Sequence, residues 1–199
     1  QGVSSAASDV YKRQIQGLVQ GVVGQFVKED VAVEVFKTGR GRPWGEHHEC
    51  CFCGTERFFR PAYAGHLLDE WIPAMEGVED KLKAGAKVAD IGCGLGTSSM
   101  LMAEQYPNST IHAYDFHAPS IDEAKKRAKE KGLTNLEFFV SDAGAIPQES
   151  YDLACIFDAW HDMGDPVGIA RSIKDTLADG GTFMVCLLYT SPSPRDGLL

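Results

Sequence analysis

The sequence lacks a basic patch, a long apolar run and an internal repeat. Its 199 residues contain 19 lysines and arginines against 28 aspartates and glutamates, a formal net charge of −9. Affinity for nucleic acid comes largely from neutralising phosphates, which an acidic chain does poorly. We therefore expect this domain to bind no nucleic acid, and we favour a small-molecule substrate.

A membrane span is also missing from the sequence. The apolar stretch at residues 15–27 contains three glutamines, is too short to cross a bilayer, and lacks the cleavage site of a signal peptide. The six cysteines are scattered apart from one cluster and indicate no disulfide framework. We expect a cytoplasmic protein with reduced thiols and no membrane partner.

Both ends of the sequence resemble the translated sequencing-adaptor read-through that is found on metagenomic fragments. These ends are residues 1–14, QGVSSAASDVYKRQ, and residues 187–199, LLYTSPSPRDGLL. Prolines at 192 and 194 would stop regular structure directly after a predicted strand. We expect two non-native tails and a C-terminally truncated, inactive domain; a genuine disordered tail is the alternative.

Between these ends, we expect the remainder of an N-terminal domain at residues 15–60 and an incomplete cofactor-binding domain at residues 61–186. Apolar residues recur at helical spacing from Leu18 to Phe36, which predicts one helix followed by a linker. A further helix is predicted after Pro61 and ends before Gly77.

From Lys87 onward, predicted strands and helices alternate, the order that produces a parallel sheet with helices on its faces. The sequence therefore predicts a doubly wound α/β fold with a mainly parallel sheet. A capping box of Ser120 and Glu123 predicts one helix start, and Asp165 with Pro166 predicts another. The expected strands are 87–91, 110–114, 137–140, 151–157 and 182–188, the last one entered through Gly180 and Gly181.

The most informative segment is Val88–Gly96, where a strand leads through Asp90 into a turn with glycines at 92, 94 and 96. Glycines remove side chains from the turn, so a ligand can approach the backbone, and the next helix offers free N–H groups. The spacing Gly-x-Gly-x-Gly differs from the Gly-x-Gly-x-x-Gly of dinucleotide enzymes. An NAD-dependent dehydrogenase is therefore a less favoured alternative.

Acidic residues end the following strands. Asp115 lies about twenty residues past the glycines, where its carboxylate can accept both hydrogen bonds of a ribose diol. Asp142 and Ala143 follow the third strand, and Asp158 follows the fourth. Because open α/β sheets bind ligands at the carboxyl ends of their strands, we expect these residues to share one site.

These motifs resemble those of class I S-adenosylmethionine-dependent methyltransferases. The resemblance implies a Rossmann-like methyltransferase fold, with S-adenosyl-L-methionine as the cofactor. In it, Asp115 would hold the ribose, Asp142 with Ala143 would contact the adenine, and Phe116 would pack on the same ring. The cofactor-binding residues that it implies are Asp90, Gly92, Gly94, Gly96, Asp115, Phe116, Asp142, Ala143 and Asp158.

The similarity extends over residues 36–185 and is greatest to a bacterial group that carries an N-terminal winged-helix domain. Matching segments are GTERFFRP at 54–61 and HDMGDP at 161–166. Most of the winged helix and the last two strands of the family's sheet are missing from this pattern, so we expect a fragment.

Methyl transfer to a small molecule is the leading hypothesis. A regulator that senses the cofactor and binds DNA through a lost winged helix is the alternative.

Three groups of residues each have two alternative interpretations. His161 could accept a proton during catalysis, but a histidine in a strand-to-helix turn is more often structural, so we assign no catalytic residue. The run His47–Cys53 offers imidazole and thiolate ligands, yet neighbours on one loop rarely reach four tetrahedral corners. We expect a linker at the mouth of the active site and no metal. Phe58, Phe59, Arg60 and Tyr63 either cover the cofactor or belong to the core.

Overall fold

The computed structural model describes residues 3–187, with side chains described from residue 11. None of the helices in this range is long and apolar enough to cross a membrane. A π-helical segment, Tyr63–Trp71, continues α3, and short 3-10 turns lie at Trp44–Glu46, Ala143–Ala145 and Trp160–Asp162. The helices are α1 (Val3–Val27), α2 (Glu29–Thr38), α3 (Glu49–Ala62), α4 (Val78–Ala84), α5 (Thr97–Gln105), α6 (Ala118–Glu130) and α7 (Pro166–Thr176). The strands are β1 (Lys87–Ile91), β2 (Thr110–Asp115), β3 (Leu136–Val140), β4 (Tyr151–Phe157) and β5 (Leu177–Cys186).

The five strands form one parallel sheet in the order β3-β2-β1-β4-β5. The central strand β1 pairs on both sides, with Ala89 opposite His112 of β2 and opposite Ala154 of β4. The strand order reverses between β1 and β4, and a ligand crevice is expected beyond the carboxyl ends at such a point.

Helices cover both faces of this sheet. Along β1, Val88 belongs to the apolar cluster that includes residues of α4, α5 and α6, whereas Ala89 and Ile91 belong to the cluster that includes Ile173 of α7. A strand that is buried on both faces reads as a continuous apolar run, as β4 does in the sequence. The predicted doubly wound α/β fold is confirmed.

The N-terminal part differs from its prediction. The single helix expected over Leu18–Phe36 is wrong, because α1 and α2 are separated at Lys28, where φ is −115° and ψ is 32°. The linker expected around the cysteine cluster is also wrong from residue 49, where α3 begins after His48 at its N-cap. Residues 3–14 are helical and belong to α1; that they are a non-native, adaptor-like tail stays a prediction. The matching expectation for residues 188–199 lies outside the described range.

Glycines explain why α1 and α3 pack so closely. A Cβ atom on Gly17 would lie 2.5 Å from the backbone nitrogen of Phe58, and one on Gly54 would lie 2.5 Å from that of Gly21. The two helix backbones are therefore in direct contact, which only glycine permits at these positions. This contact stabilises α3 through tertiary packing, which hydrophobic periodicity does not reveal.

Two predicted helix starts are wrong. Pro61 does not open a helix but lies inside α3, which runs on into the π-helical segment with Leu67 fully buried. The helix predicted to begin with a capping box at Ser120 begins three residues earlier, with His117 at the N-cap. The Ser120 hydroxyl lies 2.8 Å from the Nδ1 atom of His117. A proline in the first turn suits that earlier start.

The last helix and strand follow the prediction more closely. The N-cap at Asp165 is confirmed, since its Oδ1 atom accepts a hydrogen bond from the Gly168 N–H at 2.9 Å. The strand β5 already begins at Leu177, and Gly180 and Gly181 form an irregularity within it. A Cβ on Gly181 would lie 2.7 Å from the Tyr151 carbonyl oxygen, so a larger residue would disturb this pairing.

Candidate cofactor site

The turn between β1 and α5 bends sharply at the carboxyl edge of the sheet. Gly92, Gly94 and Gly96 have φ angles of 72°, 53° and 75°, a region that side chains disfavour. A Cβ on Gly96 would lie 2.6 Å from the ring of Phe138, whereas one on Gly94 would meet nothing within 4 Å. The backbone at Gly94 is therefore open to a ligand.

The Asp115 carboxylate connects this turn to the end of β2. Its Oδ2 atom accepts a hydrogen bond from the Gly94 N–H at 2.8 Å, and its Oδ1 atom accepts one from the His117 N–H at 2.8 Å. The side chain is buried, with 8% of the residue exposed. Each carboxylate oxygen has a second lone pair, so Asp115 can accept two more hydrogen bonds.

Asp90 lies beneath the turn and is 1% exposed. Its Oδ2 atom accepts hydrogen bonds from the hydroxyls of Ser98 and Ser99, at 2.7 and 2.5 Å. Its Oδ1 atom is buried and has no hydrogen-bond partner among the described residues. Burial raises the pKa of Asp90 to about 6; the two serine hydrogen bonds oppose this, and the nearby Asp115 carboxylate adds to it. A buried carboxylate oxygen that accepts no hydrogen bond is unusual. It suits a site in which a bound ligand supplies the hydrogen-bond donor.

The remaining predicted residues follow the neighbouring strands at the same edge. Phe116 is 54% exposed after β2. Asp142 is exposed after β3, where its Oδ1 atom accepts the Gly144 N–H at 2.8 Å, and Ala143 is half-buried beside it. Asp158 is half-buried after β4, with a φ of 51° and its N–H 2.7 Å from the Cys186 carbonyl oxygen. Hydrogen bonds thus join Asp115 directly to the glycine turn, while the other residues follow β2, β3 and β4 at the same edge of the sheet.

A carboxylate of α3 lies beside the turn and is absent from the sequence prediction. The Oε1 atom of Glu56 accepts a hydrogen bond from the Thr97 hydroxyl at 2.8 Å and one from Arg60 Nε at 2.6 Å. Arg127 of α6 lies 3.6 Å from the same oxygen. The i,i+4 spacing of Glu56 and Arg60 indicates an ion pair, but only the packing of α3 brings Glu56 to the start of α5.

Tyr63 lies between the core and the site. Its ring centroid is 6.1 Å from that of Phe59 and 5.5 Å from that of Phe157. Burial raises the pKa of the Tyr63 hydroxyl, and the nearby carboxylates of Asp90 and Asp158 raise it further. Tyr63 therefore packs against the core while remaining close to both carboxylates. Arg60, by contrast, has 54% of its side chain exposed.

The cysteine and histidine run has separate local partners. Cys51 is buried, and its Sγ atom accepts a hydrogen bond from Gln25 at 3.6 Å, whereas the His48 side chain accepts the Cys50 N–H at 3.2 Å. Within residues 3–187, no group of three or more histidine, cysteine, aspartate or glutamate side chains is placed to hold a metal ion.

His161 lies in the 3-10 turn after β4, with half of its side chain exposed and Nε2 3.6 Å from Asp162 Oδ2. It is not packed into the core. The proton-acceptor interpretation of His161 stays the less favoured of the two that the sequence leaves open.

A parallel sheet with a glycine turn and acidic side chains at its switch point defines a doubly wound α/β protein with a cofactor-type site. Residues 82–193 match the family described as methyltransferase domain. This match spans more than half of the chain, which belongs to that family of S-adenosyl-L-methionine-dependent enzymes.

Similar proteins include aklanonic acid methyltransferase of a Streptomyces species, 34% identical over 116 residues, which are 57% of this chain and 51% of that protein. The tRNA (guanine-N(7)-)-methyltransferase of Hydrogenovibrio crunogenus is 31% identical over 127 residues, 53% of either chain. The chain thus spans about half the length of these curated relatives. A candidate S-adenosyl-L-methionine-dependent methyltransferase from Methanococcus maripaludis has a similar fold. Its TM-score is 0.58 at 19% identity, covering 73% of this chain and 65% of that one.

Proposed function

We propose that this domain binds S-adenosyl-L-methionine at the carboxyl edge of β1 and β2 and transfers its methyl group to a small molecule. The observation that carries the proposal is the hydrogen-bonded unit of Asp115 and the glycine turn at the switch point of the sheet. When bound, the cofactor supplies a methyl group on a positively charged sulfur, which is an excellent leaving group. Positioning of the acceptor then accounts for most of the catalysis.

The described residues fit such a cofactor. The unused lone pairs of Asp115 suit the two hydroxyls of a ribose, and the open backbone at Gly94 allows close approach. The buried Oδ1 atom of Asp90 requires a donor, which a cationic or N–H group of the cofactor would provide. The exposed ring of Phe116 and the neighbouring Asp142 are available for an adenine.

On the acceptor side, we assign Asp158 to contacts with cofactor or acceptor and leave His161 as the candidate proton acceptor. Residues 15–60 supply Glu56 at the start of α5, and we propose that they border the acceptor side of a cofactor domain at residues 61–186. The acidic carboxylates at this edge are electrostatically suited to a cationic sulfur centre.

The net charge supports a small-molecule acceptor. One relative acts on aklanonic acid and another on a tRNA guanine by their names, so relatedness alone does not decide between these classes. A chain with a net charge of −9 would repel a phosphate backbone. We therefore propose an acceptor without a polyanionic backbone.

Calorimetry on the folded chain tests the cofactor assignment. S-adenosylhomocysteine and NAD are titrated in parallel, and we expect heat of binding for S-adenosylhomocysteine only. Binding of NAD without any response to S-adenosylhomocysteine would overturn the proposal.

A second assay tests the acceptor class on a version of the gene that includes flanking sequence. It follows a radiolabelled methyl group from the cofactor into total tRNA or into a panel of phenols, carboxylic acids and amines. Label in tRNA alone would contradict the small-molecule assignment.

A further inference from the structure

The outward side of α1 carries an uninterrupted row of exposed apolar side chains. Leu18 is 52% exposed, Val22 45% and Phe26 73%. Intervals of three and four residues place the row on one side of the helix. Soluble proteins rarely leave a contiguous apolar patch of this kind uncovered. The row, called the α1 stripe below, consists of Ile15, Leu18, Val19, Val22, Val23, Phe26 and Val27.

The α1 stripe faces away from α3. Gly17 and Gly24 lie on the opposite side of α1, where Cβ atoms would come within 2.5 Å of Phe58 and 3.0 Å of Cys51. No charged residue occurs between Arg13 and Lys28. The stripe is therefore an apolar surface that the described part of the chain does not cover.

The pattern of the stripe is self-complementary. Reversal of the helix about the midpoint between Gln20 and Gly21 brings six of the seven stripe residues opposite one another in pairs, whereas Val27 falls opposite Gln14. An isologous interface requires that the same patch match itself across a two-fold axis. The stripe meets this requirement in an antiparallel pair of helices, which places Ile15 opposite Phe26, Leu18 opposite Val23 and Val19 opposite Val22.

Charges at the two ends favour the same orientation. Reversal about this midpoint brings Lys12 to the level of Glu29 and Arg13 to the level of Lys28, with Asp30 one residue beyond Glu29. An antiparallel pair therefore sets Lys12 and Arg13 of one copy beside Lys28, Glu29 and Asp30 of the other, a segment whose net charge is negative. A parallel pair would set like charges side by side, which is unfavourable.

We propose that two copies of this chain associate through the α1 stripe, with their α1 helices antiparallel across a two-fold axis between Gln20 and Gly21. The occupant of the stripe is thus a second copy of the same surface. This proposal goes beyond the methyltransferase function and does not depend on it.

Two charge variants test both the association and its register. Light scattering after size exclusion should give a dimer for the whole chain and a monomer for V19K or V22E alone. In an equimolar mixture the dimer should return, because the introduced ammonium and carboxylate then face each other across the axis. Circular dichroism checks that each variant keeps the helix content of the parent chain.

The matched control is V167K, since Val167 on α7 is 59% exposed and lies outside the stripe; it should remain dimeric. Phe26→Ala avoids any introduced charge and should raise the dimer dissociation constant at least tenfold.

The proposal is wrong if the parent chain stays monomeric as its concentration rises, if both charge variants remain dimeric, or if their mixture stays monomeric. The proposal would also be contradicted if the parent chain formed heterogeneous aggregates and V22E did not convert them to monomers.

Discussion

The Oδ2 atom of Asp115 accepts a hydrogen bond from the Gly94 N–H at 2.8 Å, joining the end of β2 to the glycine turn after β1. The carboxylate therefore holds the shape of the turn as well as offering lone pairs to a ligand. A substitution at Asp115 should affect folding and binding together.

Asp115→Ala should weaken S-adenosylhomocysteine binding about tenfold or more, since charge-assisted hydrogen bonds contribute roughly 1.5–3 kcal/mol each. Asp115→Asn should lose less affinity, because its side-chain amide retains one acceptor oxygen. Calorimetry on the folded variants measures the affinity, and urea unfolding measures the stability. Asp122→Ala, at an exposed position of α6, is the control. Unchanged affinity in Asp115→Ala would remove Asp115 from the cofactor site.

Because of Asp90, the free energy of unfolding should fall as the pH rises. Burial raises its pKa from the usual 3.8 to about 6, so the folded protein holds the proton more tightly than the unfolded chain. The stabilisation is complete below about pH 4 and is lost between about pH 4 and 6, with a total on the order of 3 kcal/mol. Urea unfolding across this range should show a fall in the parent chain that Asp90→Asn lacks. Parallel pH profiles for the two proteins would contradict this prediction.

Glu56→Ala should lower the free energy of unfolding by about 1–3 kcal/mol, because Thr97, Arg60 and Arg127 all lose their shared partner. The matched control is Glu70→Ala, which removes an exposed i,i+4 contact with His66 and should change stability by no more than about 0.5 kcal/mol. Equal effects of the two substitutions in urea unfolding would show that the Glu56 contacts contribute no more than a surface pair.

Two glycines of the same helix should respond in opposite directions. Gly17→Ala places a Cβ atom 2.5 Å from the Phe58 backbone and should destabilise the protein by roughly 1–3 kcal/mol. Gly21→Ala meets nothing within 4 Å and should stabilise α1 by about 1 kcal/mol. Thermal melts compare the variants. A stabilising Gly17→Ala would mean that α1 and α3 do not pack as closely as described.

Much of the sheet is predictable because its signals are local. The apolar runs that became β1 and β4, and the N-cap at Asp165, depend on neighbouring residues. The glycine turn with an acid at the end of β2 is likewise a short-range pattern. Placing Asp115 at the same edge as the turn needed only the rule that parallel strands share a carboxyl end.

The prediction failed where remote residues decide the structure. Local composition suggested a linker over the cysteine cluster, but close packing of Gly54 against α1 makes that region helical. The place of Glu56 beside Thr97 depends on the same docking of α3.

By itself, the sequence determined the order of strands and helices from Lys87 onward, the glycine turn and the acids that follow the strands, because these arise from patterns within a few residues. Only the tertiary structure decided that Asp115 holds the turn through Gly94 and that one oxygen of Asp90 is buried without a donor from the described residues. Both properties come from strands and helices packed side by side, where burial and hydrogen bonding depend on atoms far apart in the chain.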